Sequence, residues 1–286
     1  MKRFLLHIAH FSCYLLAANL LCYWANQKLY FDRYSTFDGR YDTYLVADSH
    51  GHSLDTLTNA FGIFNFSDPS DSYKDMLRKV KYALRNSEVK RILIAADHHT
   101  LTTYRETNNN LDRSAIYASR EDYPSWYASF NERYLQRYVP LIHGKSRDAL
   151  LMHIKSLWSN TSRNKSHWAD ASREYRMSRA RLRAGIHYGA SKRSKEMEAL
   201  LTEIIQLCKQ QGVEVMGLKF PLSPEYREAT NGLGYAPDRI FEKAGVELLD
   251  FRAILNRPED FRDQDHVSET GGRKLLPVID QYLNQP

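Results

Sequence analysis

The chain has 286 residues, 43% of them hydrophobic, and a formal net charge of +6. That is enough length and apolar content for a buried core, and it excludes a collagen-like or globally disordered chain. Three cysteines, Cys13, Cys22 and Cys208, do not make a disulfide framework, and the modest positive charge by itself identifies no partner.

Met1-Lys2-Arg3 is a short basic start, and Phe4 to Trp24 is a mostly apolar run long enough to cross a bilayer at about 1.5 Å per residue. Tyr23, Trp24 and Tyr30 would lie at the far interface, where aromatic rings are favoured. Residues 1–27 therefore read as a single-pass anchor, with Lys2 and Arg3 holding the N-terminus in the cytoplasm and the remainder outside. A cleaved signal peptide is the next reading, although Ala17-Ala18-Asn19 is a poor cleavage site. A buried core helix is the third. Residues 28–42 are polar and aromatic and read as a linker.

A buried strand is expected at Tyr44 to Ala47, stopping at Asp48-Ser49-His50-Gly51, with a helical pattern of Leu54, Leu57 and Phe61 behind it. A second strand spans Phe61 to Phe66. The turn cluster Ser67 to Ser72 then caps a helix with Met76, Leu77, Val80 and Leu84 inward and Lys79 largely elsewhere. The third strand, Arg91 to Ala96, ends in Asp97-His98-His99. From about 108 to 194 the periodicity blurs into a basic, aromatic stretch with helical pieces at 127–138 and 147–158, read as an insertion or lid carried on the sheet. Trp126, Trp158 and Trp168 there serve either sugar stacking or packing. Regular order resumes with an amphipathic helix at 195–211, strands at 213–218 and 246–250, and a closing helix at 273–283. Strands alternating with helices predict an α/β fold, with a parallel sheet covered on both faces, over residues 43–286.

Ser49, lifted out of a strand end and followed by helix N–H groups, is placed to be a nucleophile; Ser and Asp are also ordinary helix caps. Just before the last helix comes Asp263-Gln264-Asp265-His266. Asp and His three residues apart can meet on one turn, where the carboxylate fixes the imidazole tautomer and stabilises the imidazolium. A serine needs such a base because its hydroxyl is a poor nucleophile at neutral pH. Alone, the Asp-x-x-His spacing also suits a solvated loop.

Taken together, these segments resemble the SGNH (GDSL) hydrolase superfamily. Ala47-Asp48-Ser49 matches its Gly-Asp-Ser block, and Asp263 to His266, followed by Val267-Ser268-Glu269-Thr270-Gly271-Gly272, matches its last block. The resemblance implies a three-layer α/β/α sandwich of flavodoxin-like type without a cofactor, and with Ser49 as nucleophile, His266 as general base and Asp263 as its orienting partner. The family's oxyanion glycine would fall in Ser67 to Ser72, where none is present, leaving the Ser70 N–H as the candidate donor. The family's asparagine is replaced at Asp97-His98-His99, where His98 can donate a hydrogen bond but an ionised Asp97 would repel an oxyanion. That departure resembles membrane-anchored relatives acting on cell-surface polymers. It implies an esterase or O-acyltransferase working on O-acetyl or similar groups of an extracytoplasmic polysaccharide, with a multi-pass membrane acyltransferase as partner.

Two other readings stay open. Asp48-Ser49-His50, His52 and Asp97-His98-His99 would suit a two-metal phosphoesterase. The further Gly-Asp-x-x-Asp, Gly-Asn-His-Glu and Gly-His-x-His segments of that class are missing, so no metal site is assigned. The other reading is an idle scaffold that binds an anionic polymer or membrane partner through the basic insertion. Nucleic acid is not an expected partner beside such an N-terminus.

Overall fold

The computed structural model describes residues 1–34, 36–139, 144–158 and 168–284. The chain packs as two compact units: Met1–Thr36 with Leu111–Asn164, and Phe37–Asn110 with Lys165–Pro286. The basic stretch expected as one insertion at 108–194 is therefore divided between them, and its segments 140–143 and 159–167 lie outside the described residues.

In the first unit, helix α1 (Lys2–Asn26) runs on through a π-helical turn, Gln27–Phe31. The combined helix is long and apolar enough to span a membrane, and none of its most apolar window is buried. The start of the expected linker packs instead of spacing. Phe31 and Tyr34 are buried, Arg113 stacks over the Tyr30 and Tyr34 rings at 4.8 Å each, and the Tyr117 hydroxyl donates to the Tyr34 carbonyl. Polar-aromatic composition looked solvent-facing, but aromatic rings around a guanidinium form a core of their own.

The second unit is built on a five-stranded parallel sheet in the order β2-β1-β3-β4-β5. Its strands are β1 Thr43–Val46, β2 Ile63–Asn65, β3 Arg91–Ala95, β4 Glu214–Lys219 and β5 Glu247–Asp250. β1 is buried along its whole length, as its unbroken apolar run requires when both faces are covered. Right-handed crossovers in this strand order put the connections after β2, β3 and β4 on one face and the β1–β2 connection on the other. The packing agrees. After the four-residue α2 (Ser49–His52), helix α3 (Tyr73–Asn86) packs on α5 (Lys195–Gln210), which packs on α7 (Asp238–Ala244). The last helix, α8 (Glu269–Leu283), packs instead on the 3-10 turn Asp55–Phe61. The expected helix around Leu54, Leu57 and Phe61 is thus α2 plus that 3-10 turn, because the backbone reverses at Asp55 with φ 46°.

Two more helices join this unit: α4 (Arg173–Tyr188), whose residues had read as irregular, and α6 (Pro224–Ala229). They pack through Ala180, Ala184 and Tyr226. Trp168 is buried and Trp126 is 64% exposed, while the Trp158 side chain lies outside those described.

Candidate active site

The strand order reverses between β1 and β3, and in open α/β sheets a ligand crevice lies beyond the strand ends at such a point. Leu45 pairs with Leu93 and Val46 with Ile94, so Asp48-Ser49-His50 and Asp97-His98-His99 leave the sheet side by side. Asp48 caps α2 by accepting from the His50 N–H at 3.0 Å. The fit is close: a Cβ on Gly51 would lie 2.5 Å from the Ala47 Cβ and 2.7 Å from Ser67 Oγ, so only glycine lets α2 lie against the end of β1.

The distant block folds back as a tight loop, closed by an antiparallel bridge between Phe261 and Val267. Gly271 permits this, since a Cβ there would meet the Asp260 carbonyl oxygen at 2.1 Å. Inside the loop Asp263 Oδ1 accepts from the Asp265 and His266 N–H groups and lies 2.7 Å from His266 Nδ1. Asp265 Oδ1 lies 3.2 Å from the same nitrogen. Burial would lower the His266 pKa, but Asp263 and Asp265 together raise it above 6.5. Its Nε2 is buried and has no hydrogen-bond partner among the described residues.

His266 meets His50 edge-on, with ring centroids 5.3 Å apart. His50 follows Ser49, so the two ends of the sequence converge on one spot. Ser49 is half-buried, and its hydroxyl makes no hydrogen bond to a described residue. His50 Nδ1 lies 2.8 Å from Asp97 Oδ2; its Nε2 lies 3.7 Å from Asp265 Oδ2 and, like that of His266, makes no hydrogen bond to a described residue. Burial opposes its charge, yet Asp97, Asp48 and Asp265 raise its pKa well above 6.5. Asp97 is also tied by the Phe220 N–H at 3.0 Å. Its two oxygens are thus engaged by His50 and by the chain just after β4.

The two adjacent histidines separate. His98 is turned to Arg252, whose Nη1 donates to its Nε2 at 3.0 Å, and burial with Arg252 and Lys219 lowers its pKa. His99 turns inward, with Nε2 2.7 Å from Asp48 Oδ2, and burial lowers its pKa despite that carboxylate. The Arg105 guanidinium donates to the same Asp48 oxygen. Burial would raise the Asp48 pKa, but Arg105, His50 and His99 hold it well below the usual range.

Ser70 occupies the left-handed region at φ 72°, the conformation that favours glycine. Neither its N–H nor that of Ser49 donates to a described residue. The loop around Ser70 is pinned from below by Lys79, which is fully buried and not on the solvent face expected from helical periodicity. Its Nζ donates to the Phe66 carbonyl and to Asp68 and Asp71, at 2.9, 2.9 and 2.6 Å. A buried ammonium needs such partners, and here they are acids eight and eleven residues earlier in the chain, supplied by the loop it anchors.

Sequence reading missed Arg183 and His187 on α4. Arg183 Nε donates to Asp265 Oδ2 at 2.8 Å. His187 stacks on His99 with centroids 4.8 Å apart and shares a 2.8 Å hydrogen bond with the Tyr226 hydroxyl. The signal was present as arginines at 173, 176 and 183 on one helical stripe, which pair with Glu228, Glu225 and Asp265.

Among the described residues two groups bring metal-ligating atoms within 4.8 Å of one another: Asp48, His50 and His99; and His50, Asp265 and His266. Their donor atoms fit a dication poorly. Asp48 and Asp265 already carry guanidinium groups, and His50 Nδ1 is engaged by Asp97.

No family model matches the chain, and neither does any curated protein. Among solved structures the chain is similar to a "putative acylhydrolase" from Bacteroides fragilis, with 11% identity and a TM-score of 0.41 over 91% of this chain and 97% of that one. It is also similar to a GDSL-like lipase from Bacteroides thetaiotaomicron, with 10% identity and a TM-score of 0.41 over the same shares.

Proposed function

We propose that the chain carries out serine-dependent acyl-ester chemistry in an SGNH-type site. The observation that carries this reading is the asymmetry of His266: two carboxylates at Nδ1, and a buried Nε2 with no partner, beside the segment that bears Ser49. Ser49 Oγ attacks the acyl carbonyl while His266 Nε2 takes its proton. Asp263 and Asp265 stabilise the imidazolium, and the oxyanion is received by the N–H groups of Ser49 and Ser70. Collapse expels the alcohol, which regains the proton from His266. The acyl-enzyme is then discharged to water or to an acceptor hydroxyl by the same steps in reverse.

The substrate under this reading is an O-acyl group, acetyl being the simplest, on an extracytoplasmic polysaccharide, with a multi-pass acyltransferase as partner. Its support is the N-terminal helix, long and apolar enough to hold the chain at a membrane. The test is labelling of the full-length protein by a fluorophosphonate, together with deacetylation of an O-acetylated polysaccharide. Both should vanish in Ser49→Ala. Labelling that persists in that variant removes the serine mechanism.

A further inference from the structure

The first unit carries a surface that the catalytic reading leaves unused. Trp126, Phe130, Tyr134 and Tyr138 recur every four residues along one helical stretch, and all four are exposed, Trp126 by 64%. Their rings form a ladder with successive centroids 5.1, 5.9 and 6.3 Å apart. Four-residue spacing overshoots an α turn of about 3.6 residues, and the wider π turn at Asn131–Leu135 takes up the excess, which keeps the stripe straight. The opposite side of the helix buries Ser129. With Ser129 buried and the large rings outward, the order of a water-exposed helix is inverted.

This ladder ends on α1. Tyr138 stacks on Tyr23 at 5.3 Å, and Asn19 Nδ2 donates to the Tyr138 carbonyl at 2.8 Å. Arg137 donates to Gln27 Oε1 and lies 5.5 Å from the Phe31 ring. Contact is thus made at the C-terminal end of the apolar span, where chain polarity returns. The helix Gly144–Trp158 also packs on α1 and exposes Leu151, Met152 and Ile154.

We infer that the 126–138 helix lies in the interfacial layer of the membrane beside α1, with the Trp126-to-Tyr138 ladder as its lipid-contacting face. Three features select a bilayer as the occupant. Trp and Tyr rings prefer the headgroup level. The stripe is continuous with a helix none of whose apolar window is buried. Arg133 and Arg137 flank the rings within 6.0 Å, where their charges would meet anionic headgroups.

The test uses the full chain in phosphatidylethanolamine–phosphatidylglycerol vesicles, with the Trp126 emission taken as wild type minus Trp126→Phe. A ring seated about 5–10 Å into the headgroup boundary should lose about half its emission to lipids brominated near the headgroup, and should be shielded from iodide. A tryptophan placed by Tyr134→Trp in the Trp126→Phe background should behave alike. Iodide-accessible emission that brominated lipid leaves unchanged overturns the inference. So does shielding from both quenchers, which would mean a second copy or another protein covers the stripe. A chain released from the vesicles by alkaline carbonate overturns it too. None of these outcomes depends on Ser49.

Discussion

His50 and His266 meet edge to edge at 5.3 Å, both buried and both flanked by carboxylates, yet they are built for opposite ends. The acids around His50 lie at different nitrogens, Asp97 2.8 Å from Nδ1 and Asp265 3.7 Å from an Nε2 that makes no hydrogen bond to a described residue, so its charge faces an acid on each side. Both acids near His266 lie at Nδ1, so its Nε2 is left without a partner. One ring is a buried cation that ties the end of β3 to the last loop. The other is free to take a proton and return it. Similar surroundings thus produce a structural group or a candidate base according to which nitrogen the acids reach.

The sharpest way to break this contrast is at the proposed reacting pair. Ser49→Ala and His266→Gln should each lower the second-order rate constant for ester cleavage by about 10³-fold or more. For His266→Gln the unfolding free energy should change by only about 1–2 kcal/mol, because Asp263 keeps the Asp265 and His266 backbone N–H donors and Asp265 keeps Arg183. Urea titrations of the same samples read the second quantity.

His50→Gln inverts the pattern. Removing a buried cation leaves the buried Asp97 carboxylate with the Phe220 N–H but no positive partner, and costs about 3–5 kcal/mol of stability. An unchanged urea midpoint would show that His50 is not the tie described here.

Asp263→Asn should cost less than the loss of a sole orienting acid, about 10–100-fold in rate, since Asp265 stays 3.2 Å from Nδ1. The pH profile carries its sign. The base works when neutral, and its pKa is raised above 6.5, so the rate of the native chain should fall as pH drops through a value above 6.5. Losing Asp263 removes one raising charge and moves that acid limb to lower pH. A limb that stays in place would separate Asp263 from the base.

The smallest effect is expected at Ser70→Gly. Glycine relieves the left-handed backbone at φ 72° but pays its own entropy on folding, so stability should change by less than about 1 kcal/mol. The rate should hold, because the N–H remains. A large loss would show that the Ser70 hydroxyl takes part.

Much of the fold was legible because its signals are local. The run from Tyr44 to Ala47, the alternation of strands and helices, and the apolar N-terminal helix each declare themselves within a few residues. Asp263 and His266 are of the same kind, three residues apart on one turn. Other features depend on partners that a helical wheel cannot supply. Lys79 looked like solvent face and is buried, since Asp68 and Asp71 are folded over it. Helix α4 looked irregular, since its buried residues, Met177, Ala180, Ala184 and His187, make a weakly apolar stripe and its partners lie on α6 and in the last loop.

By itself, then, the amino-acid sequence determined the strand ends, the turns that leave them and the Asp-x-x-His loop, all set by local backbone preference and short-range hydrogen bonding. The tertiary structure alone decided which of His98 and His99 turns inward, which nitrogen of each histidine an acid reaches, and that Arg105 and Arg183 neutralise the carboxylates of this cluster. The physical reason is distance along the chain. Asp97 lies 47 residues from His50, and His99 lies 51 from Asp48. Whether such charges are paired or exposed is settled only when the sheet brings its strand ends together and water is excluded from between them.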